Sequence, residues 1–143
     1  MERGEIVPDE FAIKLIEKQI QTHPEARGFF FKGYPRTIVQ AYILDGLLRK
    51  LGSSVSCVFN LDVPTLESIK RLTARSKTNR ARYYDMDTEV IIRRLENFQK
   101  RTAPVLDYYQ KQKNIYNIDG IGTQENVYKR LVEKLELAFK NAR

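Results

Sequence analysis

The chain has one cysteine, one histidine and no tryptophan among its 143 residues. A lone cysteine rules out an internal disulfide framework and makes a reducing, cytoplasmic setting the expectation. Cys57 lies in Val55-Ser56-Cys57-Val58-Phe59, a strand pattern, where a buried and inert thiol is expected rather than a nucleophile. His23 stands beside Pro24 in an expected loop with no triad partners, so no catalytic role is assigned to it. No apolar run reaches membrane-spanning length, and no charged-then-apolar leader precedes the first expected helix, so no membrane partner is expected. Glycine is scarce too, and none of the seven precedes a lysine. The chain therefore contains no Gly-x-x-x-x-Gly-Lys-[Ser/Thr] loop, whose backbone N–H groups would cradle a triphosphate. Repeats, low-complexity segments and Gly/Ser/Pro-rich linkers are absent as well.

What remains is the composition of one globular domain over residues 1–143, with 42% apolar and 30% charged residues. The net charge of +7 points to an anionic partner. Phosphorylated small molecules, nucleic acid and acidic protein surfaces all satisfy that charge.

Hydrophobic periodicity alternates between helix and strand. Pro8-Asp9-Glu10 reads as a helix start, followed by Phe11, Leu15, Ile16 and Ile20 at helical spacing up to His23-Pro24. Gly28 to Phe31 reads as a short buried strand. Thr37 is placed to cap a helix with the apolar face Ile38, Ala41, Leu44 and Leu48, ending at Gly52. Val55 to Leu61 predicts a strand buried on both faces. Asp62-Val63-Pro64-Thr65 opens a helix to about Arg75, and 76–85 is a polar surface excursion. A long helix over about 87–111, bent near Pro104, leads to a strand at Ile115–Ile118 and a last helix through Lys140. Such alternation predicts an α/β fold, a parallel sheet with helices on both faces.

The most informative stretch is Gly28-Phe29-Phe30-Phe31-Lys32-Gly33-Tyr34-Pro35-Arg36-Thr37, followed by Gln40. It places a fixed arginine at the carboxyl end of an expected strand, where open α/β sheets bind ligands. This stretch resembles the adenylate kinase family, whose usual form is an aspartate followed by Gly-Phe-Pro-Arg-Thr. The resemblance runs along almost the whole chain: Gly4-Glu5-Ile6-Val7-Pro8-Asp9-Glu10, Asp62-Val63-Pro64 with Arg71 and Arg75, Thr102-Ala103-Pro104 with Tyr108-Tyr109, and Ile118-Asp119-Gly120 occur in the family's order. It implies a three-layer nucleoside-monophosphate-kinase-like core at 28–75 and 87–143, a remnant of the monophosphate lobe at 1–27 and a short lid at 76–86.

By the same resemblance Arg36 would hold a monophosphate, while Arg71, Arg75, Arg82 and Arg94 would surround the transferring phosphoryl group. Ile6, Val7, Gly33, Gln40 and Asp85 would line the nucleotide, with Gln40 at the adenine edge. The chemistry is consistent, because phosphoryl transfer needs phosphates held in line and their charge neutralised, and the arginine fork binds phosphate oxygens in pairs. From spacing alone, ordinary solvated helix faces are the better reading of Arg71/Arg75 and Arg93/Arg94. Co-occurrence with Gly33 to Thr37 reverses that. Arg80 and Arg82 are not separated by the sequence, and Tyr84 stands where a second acid beside Asp85 would be.

Two departures set the functional expectation. Met1 falls where the family already has its first central strand, phosphate loop and first helix, so the sheet is expected to be incomplete. The strands flanking that position would then face a gap, which predicts a rearranged sheet or self-association. Lys32 replaces the aspartate that organises Mg2+ in the family. It is either a compensating phosphate contact, and then one of the nucleotide-binding residues, or the mark of a copy released from catalytic selection, and the second is favoured. The expectation is an adenylate-kinase-like phosphotransferase (ATP plus AMP to two ADP in the family) that does not turn over as this chain alone, with Mg2+ binding put in question. The alternative is a non-catalytic nucleotide-binding, regulatory or interaction module. Expected partners are AMP, ADP and ATP, a second copy of the chain or the missing N-terminal part. Nucleic acid is disfavoured because the tyrosines do not interleave with basic residues.

Overall fold

The structure, a computed structural model, describes residues 9–82, 85, 87–112 and 115–141. The expected contacts of Ile6 and Val7, and the substitution at Tyr84, lie outside these residues. Helices α1 (Asp9–Thr22) and α2 (Ile38–Lys50) pack on each other. Strand β1 (Val58–Asp62) leads through α3 (Thr65–Ser76), α4 (Thr88–Asn97), a π-helical turn (Phe98–Thr102) and α5 (Ala103–Lys111) to β2 (Ile115–Asp119), and α6 (Gln124–Asn141) follows. The two strands pair in parallel with Val58 opposite Ile115 and Asp62 opposite Asp119. Parallel pairing requires such a helical crossover. Both α5 and α6 pack on β2. The protein is thus helix-rich with a small parallel sheet, an incomplete α/β fold of the expected class.

Local chemistry accounts for the elements. Thr37 accepts the Gln40 N–H at 3.1 Å and caps α2, a contact worth about 1 kcal/mol. Its buried side is Gln40, Ala41, Leu44 and Leu48, and Gly52 supplies the positive φ just past the helix end. Ala41 meets Val105 and Tyr109 of α5 in the core, with Ile38, Val55, Val58 and Tyr108 packed around them. The long helix expected near Pro104 is interrupted, not merely bent. Proline has no N–H for the Lys100 carbonyl, and the Ala103 N–H bonds to Phe98 O, five residues back.

Three expectations are corrected. Gly28–Phe31 is not a buried strand: the segment joins no sheet, and Phe30 is 77% exposed. An apolar run is buried as a strand only where a partner edge pairs with it. Here the Phe30 ring lies nearly parallel to that of Phe59 at 6.3 Å instead. The strand at Val55–Leu61 starts later, at Val58, and runs to Asp62. It is half-buried to exposed, not covered on both faces, because among the described residues β1 has β2 as its one strand neighbour. Cys57, just ahead of β1, is half-buried for the same reason, and what burial it has pushes its thiol up.

Candidate functional site

Arg36 sits in the turn that feeds α2, and three of its groups are held by other parts of the chain. Its backbone N–H donates to Gln40 Oε1 at 2.7 Å, its Nε donates to the Gly33 carbonyl at 2.7 Å, and its own carbonyl accepts the Thr102 hydroxyl at 2.9 Å. Gly33 adopts φ +72°, and the Tyr34–Pro35 peptide is cis. The positive φ favours glycine here, and a Cβ would also stand 3.0 Å from the Arg36 guanidinium and press it aside. The Arg36 side chain is exposed beside the N-terminus of α2, where the helix dipole adds to its positive charge. Together they make a positively charged corner.

The second grouping centres on Asp85. Arg75 donates from Nε and NH2 to the two carboxylate oxygens at 2.7 and 2.6 Å, and the Arg82 backbone N–H adds a third bond at 3.0 Å. The Asp85 side chain is fully buried, whereas that of Arg75 is 31% exposed. The Arg75 hydrogen bonds hold the carboxyl below the usual aspartate range, with the Arg82 N–H and the nearby Arg75 and Arg94 charges acting the same way against the opposing effect of burial. Thr78 and the Arg82 carbonyl fold the 76–85 excursion inward by local bonds, which brings Asp85 back to α3.

The expected residues therefore divide. Arg75 brings its guanidinium onto the Asp85 carboxylate, Arg82 reaches it through its backbone N–H, and Arg94 acts on it through its charge. Arg71 is not brought there: its Nε pairs with Glu67 at 2.8 Å one turn earlier on α3, an exposed pair worth a few tenths of a kcal/mol, or about 0.5 at most. Gln40 is buried and its amide oxygen serves the Arg36 turn. Lys32 is exposed beside Gly33. His23 is exposed, with Nδ1 2.9 Å from Gln19 O at the end of α1.

Sequence reasoning missed Asp45. Its carboxylate on α2 accepts from Tyr108 and, at 3.2 Å, from Tyr109 of α5. The hydrogen bond to Asp45 pushes the Tyr108 phenol up, whereas for Tyr109 burial comes first and the Asp45 charge second. The signal was an acid four residues after Ala41 on the buried side of a capped helix. It also missed Thr102, whose hydroxyl crosses from the π turn to the Arg36 carbonyl.

A family model described as adenylate kinase matches residues 1–114. The adenylate kinase of Flavobacterium johnsoniae is 39% identical over 136 residues, covering 95% of this chain and 71% of the relative. That of Synechococcus sp. is 39% identical over 136 residues, covering 95% and 69%, and that of Deinococcus radiodurans 38% over 136 residues, covering 92% and 68%. The chain belongs to the adenylate kinase family. It spans about seven-tenths of the length of these relatives.

The family also implies Mg2+, and the residues present do not fit it. The position expected to carry an organising carboxylate is Lys32, whose ammonium cannot ligate a cation. The buried carboxylate of Asp85 has both oxygens engaged by Arg75.

Proposed function

We propose that this chain binds nucleotides of the AMP, ADP and ATP class as the body of an adenylate-kinase-type phosphotransferase, and that the 143-residue chain alone does not turn over. The observation that carries the reading is the Arg36 corner: an exposed guanidinium drawn against Gly33 beside the capped N-terminus of α2. Arg36 would take the monophosphate, with Gln40 holding its backbone in place. The adenine preference assigned to Gln40, and the division into core, lobe remnant and 76–86 lid, rest on the family resemblance. Arg75, Arg82 and Arg94 would neutralise charge around the transferring group, with Asp85 as the internal counter-ion of Arg75. The expected lack of turnover follows from composition within the chain: no lysine-bearing phosphate cradle is present, and Lys32 stands where the family has an acid.

A non-catalytic nucleotide-binding or regulatory module is the second reading, favoured by those same two features. A second copy is a candidate partner, because β1 pairs with β2 alone among the described strands and Phe30 is exposed beside it. No helix among the described residues is long and apolar enough to cross a membrane. A cytoplasmic setting is part of the proposal.

The test is a coupled phosphotransfer assay on this chain with ATP and AMP, run beside calorimetry with AMP and ADP. The expected result is background turnover with measurable AMP binding, lost or weakened at least about tenfold in Arg36→Ala. Turnover well above background would overturn the inactive reading. Absence of AMP and ADP binding would overturn the nucleotide reading itself.

A further inference from the structure

A threonine inside an α-helix ordinarily turns its hydroxyl back to a carbonyl three or four residues earlier. Thr102 does not. It is the last residue of the π turn, with φ −100° and ψ −40°, and the carbonyl four residues back, Phe98 O, accepts the Ala103 N–H. The Thr102 hydroxyl instead donates at 2.9 Å to the carbonyl of Arg36, a residue 66 positions away in sequence. The cause lies in the sequence itself. Pro104 offers no N–H, so the ladder ahead of it widens by one residue and the threonine is re-aimed across to the α2 turn. The two other hydrogen bonds on Arg36 are local: Gln40 and Gly33 lie four and three residues from it. Further along the same two helices, Asp45 of α2 accepts from Tyr109 of α5 at 3.2 Å, which maintains the register in which Thr102 meets Arg36.

We infer that Thr102 is a positioning residue for Arg36: its hydroxyl, presented by the π turn, ties the arginine's backbone to α5 and sets the direction of its guanidinium. The inference rests on the proposed anion-binding role of Arg36 for its function, but the positioning itself can be measured without a ligand. Without the Thr102 bond, the Arg36 carbonyl is released from the π turn, and the hydrogen bonds left on Arg36 are those to Gly33 and Gln40. The Arg36 side chain then samples directions away from the Gly33 carbonyl.

The experiment is nitrogen-resolved NMR of the full chain, following hydrogen exchange of the Arg36 Nε–H that is donated to Gly33. Wild type, Thr102→Val, Thr102→Ala and Thr102→Ser are compared, and AMP and adenosine are titrated into each. The valine and alanine variants are expected to raise the Arg36 Nε–H exchange rate about fivefold, the equilibrium effect of one neutral hydrogen bond. The serine variant, which keeps the hydroxyl, is expected to match wild type. AMP affinity should fall about fivefold in the valine and alanine variants while adenosine affinity holds, and Thr102→Val should cost nothing further in an Arg36→Ala background. An unchanged Arg36 exchange rate in both hydroxyl-free variants would overturn the inference, as would a serine variant that behaves like valine. If wild type binds no AMP, the nucleotide reading fails, and the exchange rates still decide whether Thr102 positions Arg36.

Discussion

Arg75 closes both arms of its guanidinium on the Asp85 carboxylate, at 2.7 and 2.6 Å, across ten residues of surface excursion. The pair makes a loop of polar residues return to α3 and gives Arg75 an internal counter-ion. Arg75 is also the residue proposed to meet a phosphoryl group, so Asp85 sets the baseline charge that such an anion would encounter.

Asp85→Asn keeps the shape and removes the charge. The expected outcome is a loss of about 2 kcal/mol in stability at neutral pH, read from denaturant unfolding. The carboxyl titrates below its ordinary value in the folded chain, chiefly through the Arg75 bonds. Its stabilisation is therefore fully present above the unfolded aspartate value of about 4 and is lost as pH falls through the depressed native value. The gap between wild type and the asparagine variant should narrow from that region downward. A gap of constant size from pH 7 to pH 2 would contradict the assignment.

The Asp45–Tyr109 contact gives the opposite pH limb. Burial, then the Asp45 charge, raises the Tyr109 phenol above its usual value, so its contribution is intact below about pH 10 and is lost as pH rises further. Wild type should become less stable on that alkaline limb, and Tyr109→Phe should remove part of the slope. The variant should also cost about 1 kcal/mol at neutral pH, since the 3.2 Å bond to Asp45 is lost. Thermal melts between pH 8 and pH 11 read both effects.

Gly120 marks the point where the two strand ends converge. Its N–H donates to Asp62 O at 2.8 Å, and a Cβ there would overlap Val63 Cγ2 and stand 3.0 Å from Asp62 O. Gly120→Ala is expected to destabilise by about 1–3 kcal/mol through overpacking. Adding Val63→Ala should recover part of that loss, which a double-mutant cycle of unfolding midpoints would measure. Full additivity of the two losses would refute direct contact.

Lys32 offers a functional prediction. Restoring the acid with Lys32→Asp should leave phosphotransfer by this chain at background, because one carboxylate does not supply the missing phosphate cradle. It should also weaken AMP binding, since a negative charge four residues before Arg36 opposes an anion. Turnover appearing in that variant would show that Lys32 alone silences the chain.

Family membership, the helices and the Arg36 turn were legible in the sequence for local reasons. The Gly33 to Thr37 signature depends on backbone conformation and capping within a few residues, so its geometry is written into consecutive positions. The same holds for the start of α1, the stop of α2 at Gly52, and the disruption imposed by Pro104. Tertiary structure alone decided which long-range partners meet. Gly28–Phe31 has a strand's composition yet forms none, because pairing depends on a neighbouring edge that no local pattern encodes. Arg71 and Arg75 share a spacing, but Glu67 takes one and Asp85 the other, since side-chain charge is satisfied by whichever partner the packing delivers. Thr102 could be seen as a threonine before Ala-Pro. Only the juxtaposition of α5 and α2 makes it a hydrogen-bond donor to Arg36.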